Sequence, residues 1–135
     1  MANAFLDTSL IIYAATGKRN EPEKQAISQR LIDEEDFGIS VQTLGEFYAN
    51  MRRPKFNMPI ETINQWVANL LEFDCVTVDS DIFFTASRLC ERFGVPYHDC
   101  ALIAAAKRLG ARTFYTEHLN HGQDYDGVQV INPFT

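Results

Sequence analysis

At 135 residues the chain is long enough for one domain with a complete core and too short for two ordinary ones, so every motif is read as part of a single unit, residues 1–135. A formal net charge of -6 excludes a protein that grips nucleic acid through bulk electrostatics, because binding of that kind shows as a basic face. Cys75, Cys90 and Cys100 form no C-x-x-C pair, which excludes a disulfide framework and a thiolate metal site, and the longest uncharged runs, Thr8 to Gly17 and Cys100 to Ala106, are too short to cross a bilayer. With no basic, apolar leader ahead of Asp7, a soluble, unexported, cytoplasmic protein with reduced thiols and no membrane partner is expected.

Ala4 to Leu6 is a short apolar run ending at an Asp, which predicts a buried strand emptying into a helix over Ser9 to Ala15. A polar loop from Gly17 to Pro22 follows. Ala26, Ile27, Arg30 and Leu31 give an amphipathic helix to about Asp33, and Phe37 to Ser40 is a second strand. In the next helix Val41, Leu44, Tyr48 and Met51 fall at i, i+3, i+7 and i+10, one apolar stripe, with Glu46 well off it and Pro54 as the stop. Ile63, Trp66, Val67, Leu70 and Leu71 have the spacing of a core-facing helix opened by Pro59.

Cys75 to Val78 reads as a third strand. Asp79 or Ser80 then caps a helix running through Arg92 and closed by Gly94 and Pro96. From Cys100 to Leu109 the chain is Ala-rich and apolar nearly all round, a helix buried on most sides with Gly110 as its C-cap. Thr113 to Tyr115 and Val128 to Ile131 supply two more strands. Five short strands alternating with helices require right-handed crossovers and a mainly parallel sheet covered on both faces, a three-layer α/β/α domain.

Ligands of such sheets bind beyond the carboxyl ends of the strands at a switch in strand order. Asp7 follows the first strand, Thr116, Glu117 and His118 follow the fourth, and Asp99 opens the buried helix, so these can converge on one edge. Each also has a plainer reading. Asp7, Thr8 and Ser9 are good helix N-terminal residues, Asp99 suits the positive end of its helix, and Glu46 can be an exposed helical acid. Thr8, Ser9 and Thr116 are candidates to hydrogen-bond carboxylates or phosphate oxygens, against ordinary capping and turn roles. Arg52, Arg53 and Lys55 follow the Glu46 helix, while Lys107, Arg108 and Arg112 follow the Asp99 helix; these are half of the chain's cations and form a candidate basic rim for nucleic acid, or else solvated charges at helix ends. His118 and His121 have H-x-x-H spacing, but zinc pairs on helices are usually i, i+4 and need further ligands. Phosphoaspartate chemistry of the haloacid-dehalogenase type would need an acid where Ser9 stands, and a receiver-like pocket would need a Lys where Asn132-Pro133 stands.

Four blocks taken together resemble the PIN-domain family, and within it the VapC-type toxins of bacterial toxin–antitoxin pairs. They are Phe5-Leu6-Asp7-Thr8-Ser9 with the following Leu10 to Ala14, Ile39 to Tyr48 around Glu46, Tyr97 to Ala106 around Asp99, and Tyr115 to Gln123 around Glu117-His118. The resemblance implies a Rossmann-like α/β/α domain with a five-stranded parallel sheet and a Mg²⁺- or Mn²⁺-dependent endoribonuclease site leaving 5′-phosphate and 3′-hydroxyl ends. It also implies dimers, and a small protein antitoxin that occupies the acidic groove.

Carried onto this chain, Asp7 and Asp99 are the expected direct metal ligands, with Glu46 binding a second ion or acting through water. One departure is plain. Many family members have an Asp where this chain has His118, so the fourth acid is missing or displaced; Glu117 substitutes only if the loop turns differently, since neighbours in an extended segment point opposite ways. The alternative function is a catalytically impaired PIN-fold module that binds RNA or protein.

Overall fold

In the computed structural model, which describes residues 2–17 and 20–135, the chain forms a three-layer α/β/α domain. Lys18 and Arg19 of the expected Gly17 to Pro22 loop lie outside the described residues. The strands are β1 (Ala4–Leu6), β2 (Phe37–Ser40), β3 (Asp74–Val76), β4 (Thr113–Tyr115), β5 (Asp124–Tyr125) and β6 (Val128–Ile131). The helices are α1 (Thr8–Thr16), α2 (Pro22–Glu34), α3 (Val41–Met51), α4 (Ile60–Leu70), α5 (Ser80–Phe93) and α6 (Tyr97–Leu109), with a 3-10 turn at Pro54–Phe56.

The strand order is β3-β2-β1-β4-β6-β5, parallel except for the β5–β6 pair. From β1 the chain first builds outward through β2 and β3, then returns to build through β4 and β6 on the other side. The switch point therefore lies between β1 and β4. Alternation along β1 divides the core: Ala4 and Leu6 face the layer of α1 to α4 with Phe37, Ile39 and Phe47, whereas Phe5 faces α5 and α6 with Phe114 and Val130.

Helix α6 is the buried helix its Ala-rich run predicts, with every residue from Cys100 to Ala106 buried. Gly38 in β2 makes room for its last turn, since a Cβ there would stand 2.3 Å from Leu109 Cδ1. At α5, Asp79 accepts a hydrogen bond from the Ile82 amide at 3.0 Å, and Gly94 closes the helix at φ 67°.

Two expectations are corrected. The five parallel strands are joined by a sixth, β5, hairpinned onto β6 through Asp126 and Gly127 at φ 54° and 98°; this is the two-residue Asp-Gly turn that accommodates positive φ at both positions. On α3 the expected stripe holds for Met51, which is buried, and for Leu44 and Tyr48, which pack half-buried against the same core, whereas Val41 is 48% exposed and Thr43 and Phe47 complete the buried side. The helix starts at Val41 because Ser40 and Thr43 form a reciprocal capping box at the end of β2, and this start sets the side on which Glu46 emerges.

Candidate functional site

The carboxyl ends of β1 and β4 meet at the switch point, and there the polypeptide leaves Asp7 and Thr116 side by side. The Asp7 amide donates to the Tyr115 carbonyl at 3.0 Å, extending the ladder by one residue, and the Thr116 amide reaches the Ile131 carbonyl at 3.1 Å. Asp7 occupies the N-cap position of α1, yet its side chain makes no capping hydrogen bond. It turns instead into the crevice. Thr116 Oγ1 donates to Asp7 Oδ2 at 2.8 Å and Ser9 Oγ donates to the same oxygen at 3.3 Å, so every described side-chain hydrogen bond of Asp7 falls on Oδ2 and Oδ1 is left for another partner. Both Asp7 and Thr116 are buried.

Glu46 from α3 and Asp99 from α6 line the same cavity of about 210 Å³, together with Asp7, Thr8, Ser9 and His118. Asp99 reaches it from the third position of its helix, where the positive helix end favours a carboxylate. Gln42 ties the two walls together, its amide nitrogen lying 3.1 Å from Glu46 Oε1 and 3.4 Å from the His98 carbonyl.

The three acids repel one another. Burial, followed by the charge of Asp7, raises the Asp99 pKa despite His118 and His98. Burial is also the main cause that raises Glu46; the Gln42 hydrogen bond and His98 oppose it, while the charges of Asp7 and Asp99 add to it. The Thr8 hydroxyl, buried on the same wall, has no hydrogen-bond partner among the described residues.

A hard cation fits this donor set: oxygen ligands, excess negative charge, a free carboxylate oxygen and an unsatisfied hydroxyl. Among the described residues, no group of three or more His, Cys, Asp or Glu side chains is arranged to hold a metal ion alone. The oxygen donors of the acids are of the kind Mg²⁺ takes, one or two carboxylates with several waters kept.

Glu117 is turned away from this cavity. It accepts hydrogen bonds from the Tyr13 hydroxyl and from Lys24 Nζ at 2.9 Å. Burial pushes its pKa up, but those two hydrogen bonds and the charge of Lys24 hold the carboxyl below its ordinary value. His118 takes the place beside the acids, with Nε2 3.8 Å from Asp7 Oδ2 and a side chain 57% exposed.

The basic rim divides in two. Arg53 and Lys55 line a second cavity that opens beside the acids, and Arg52 stacks over Tyr48 at 5.7 Å from the ring centroid. Lys107 and Arg108 belong to the other end of α6, roughly 12 Å along the axis from Asp99 at a rise of about 1.5 Å per residue, and are paired with Asp126 and Asp79. Arg112 precedes β4 and lies at the opposite edge of the sheet from Thr116. Gln42, Asn50 and His98 also line the acid cavity and were absent from the sequence-derived candidates. Gln42 and Asn50 had a usable signal, standing four residues before and after Glu46 on the same helix face.

A family model described as "PIN domain" matches residues 4–118. No curated protein matches the sequence significantly. Among solved structures, a toxin–antitoxin complex from Klebsiella pneumoniae has a chain 17% identical with a TM-score of 0.71, covering 96% of this chain and 97% of that one. VapC20 of Mycobacterium tuberculosis, described as a sarcin–ricin loop cleaving toxin, is 18% identical with a TM-score of 0.66, covering 84% of this chain and 88% of that one. DNA-bound VapBC from Salmonella typhimurium contributes a chain 19% identical with a TM-score of 0.66, covering 96% and 97% respectively. At these identities the structural likeness speaks to the fold. The family match runs from β1 to His118 and takes in all three acids of the cavity, and the chain belongs to the PIN-domain family.

Proposed function

We propose that this protein is a metal-dependent endoribonuclease, the toxin of a toxin–antitoxin pair, that hydrolyses RNA phosphodiester bonds at the Asp7–Glu46–Asp99 cavity. The observation that carries this reading is the convergence of three mutually repelling carboxylates at the sheet's switch point, within the span matched by the PIN-domain model. The structural neighbours that are toxins or toxin–antitoxin complexes support the cellular role.

Asp7 and Asp99 would hold Mg²⁺ or Mn²⁺ directly, with Glu46 serving a second ion or acting through water. When bound, the ion supplies a more acidic water and offsets charge on the phosphate and the leaving oxygen. Thr116 and Ser9 fix Asp7 through one oxygen, and its other oxygen has no hydrogen bond among the described residues. Gln42 orients Glu46 and ties it to the start of α6. The Thr8 hydroxyl is placed to accept or donate a hydrogen bond to a ligand on that wall.

An antitoxin with a basic side chain would neutralise the same cavity, and a dimer working in the cytoplasm is the expected form. Purified protein should cut RNA only with Mg²⁺ or Mn²⁺, and Asp7→Asn should abolish cutting. RNA binding without cleavage by the wild type under either metal would favour the impaired binding module.

A further inference from the structure

Beside the acid cavity lies a second one of about 540 Å³, between α1 and the 3-10 turn. The two share Ser9, Ile12, Asn50 and His118, so a chain seated at the acids continues into this space without leaving the surface. Its outer wall carries Arg53 and Lys55. Among the described residues neither is ion-paired with a carboxylate, in contrast to Lys107 and Arg108, which are held by Asp126 and Asp79. In a chain of net charge -6, two unpaired cations beside an acidic crevice form a local anion site. Phe56 supplies an aromatic wall, with Lys55 Nζ 4.9 Å from its ring centroid. Two carboxylates also line the cavity, Glu21 and Glu117, the latter already fixed by Tyr13 and Lys24 as an immobilised hydrogen-bond acceptor.

Resting on the nuclease reading above, we propose that this cavity seats the nucleotide adjoining the scissile phosphate, its phosphate held by Arg53 and Lys55 and its base against Phe56. The volume lies in the range of small-molecule sites, about 300–1,000 Å³. The pairing of a cationic edge with an aromatic face is what single-stranded nucleic acid uses when it binds without extensive sequence readout.

The test uses the full chain and a fluorescent ten-nucleotide single-stranded RNA of mixed sequence, followed by anisotropy in EDTA over a salt series. The variants are Arg53→Ala/Lys55→Ala, Phe56→Ala, and Lys107→Ala/Arg108→Ala, the last removing the same charge at the far end of α6. The first should weaken binding about tenfold or more and flatten the salt dependence by about two phosphate contacts. Phe56→Ala should weaken binding with the salt slope unchanged, and the far pair should have less than a twofold effect. The exposed pair Arg53→Ala/Lys55→Ala should keep the wild-type melting temperature, and all three variants should keep its rise with Mn²⁺. Equal losses from both double variants would reduce the effect to bulk charge and overturn the proposal. So would unaltered binding in Phe56→Ala. A wild type that cuts RNA while Arg53→Ala/Lys55→Ala binds normally sinks this inference alone; a wild type that neither binds nor cuts removes the nuclease reading and this one together.

Discussion

Thr116 donates its hydroxyl to Asp7 Oδ2 at 2.8 Å across the seam between β1 and β4, two residues 109 positions apart in sequence and both buried. The bond commits one carboxylate oxygen and holds the side chain at the acid cavity. Thr116→Val keeps the shape and removes the donor, leaving a buried charged acceptor with only the longer Ser9 contact, at a cost of roughly 1.5–3 kcal/mol. A fall in melting temperature accompanied by a fall in kcat larger than any rise in KM is expected, with Thr116→Ser restoring both. If Thr116→Val loses stability but keeps kcat, the bond is structural only.

The crowded acids make a second prediction through linkage. Burial and neighbouring charges raise the pKa of Glu46 and Asp99 in the folded protein, so the folded state binds more protons than the unfolded one just above the ordinary carboxylate range. These groups therefore cost the metal-free protein stability as pH rises from that range through their raised values, and the cost persists at neutral pH. Asp99→Asn should melt higher than metal-free wild type at pH 7, by on the order of a few degrees, and the gap should close in acid. Millimolar Mg²⁺ or Mn²⁺ should raise the wild-type melting temperature and leave Asp7→Asn/Asp99→Asn unmoved. Equal metal responses in the two proteins would point to nonspecific ion effects.

The legible parts of this molecule were those set by local chemistry. The buried α6, the Asp79 cap and the Gly94 and Gly110 stops all follow from residues a few positions apart, and each is present. Asp7 was ambiguous for a physical reason: an Asp before a helix is a good cap, and only the position of Thr116, brought in by strand pairing, shows that the side chain turns elsewhere. Val41 joined a plausible apolar stripe but lost to Thr43 and Phe47, because the Ser40 capping box fixes the helix phase more firmly than one valine does. The β5 strand is two residues long, too short for any periodicity, although Asp126-Gly127 marked its turn. The separation of Glu117 from the acids depended on Lys24 and Tyr13, contacts that no spacing encodes.

That separation is testable. Glu117 is held below its ordinary pKa, so the stability it contributes is present above the ordinary carboxylate value and lost as pH falls through its lowered folded value. Glu117→Gln should cost about 1 kcal/mol at neutral pH, a small figure because Lys24 is 30% exposed and the pair is partly screened. The metal-induced rise in melting temperature should survive in this variant. Its loss would place Glu117 among the metal ligands after all.

His118 stands 3.8 Å from Asp7 Oδ2, on the boundary between the two cavities. An imidazole there adds no negative charge to the cluster and offers nitrogen, which Mn²⁺ tolerates better than Mg²⁺ does. Wild-type cleavage should therefore run faster with Mn²⁺ than with Mg²⁺. His118→Asp adds a fourth carboxylate to three that already repel, so the metal-free variant should melt lower than wild type, while its response to Mg²⁺ should grow. The ratio of Mn²⁺- to Mg²⁺-supported rates should then narrow. An unchanged ratio, with the melting shift also unchanged, would mean that His118 lies outside the ion's reach and serves only the passage between the acid crevice and the cavity beside it.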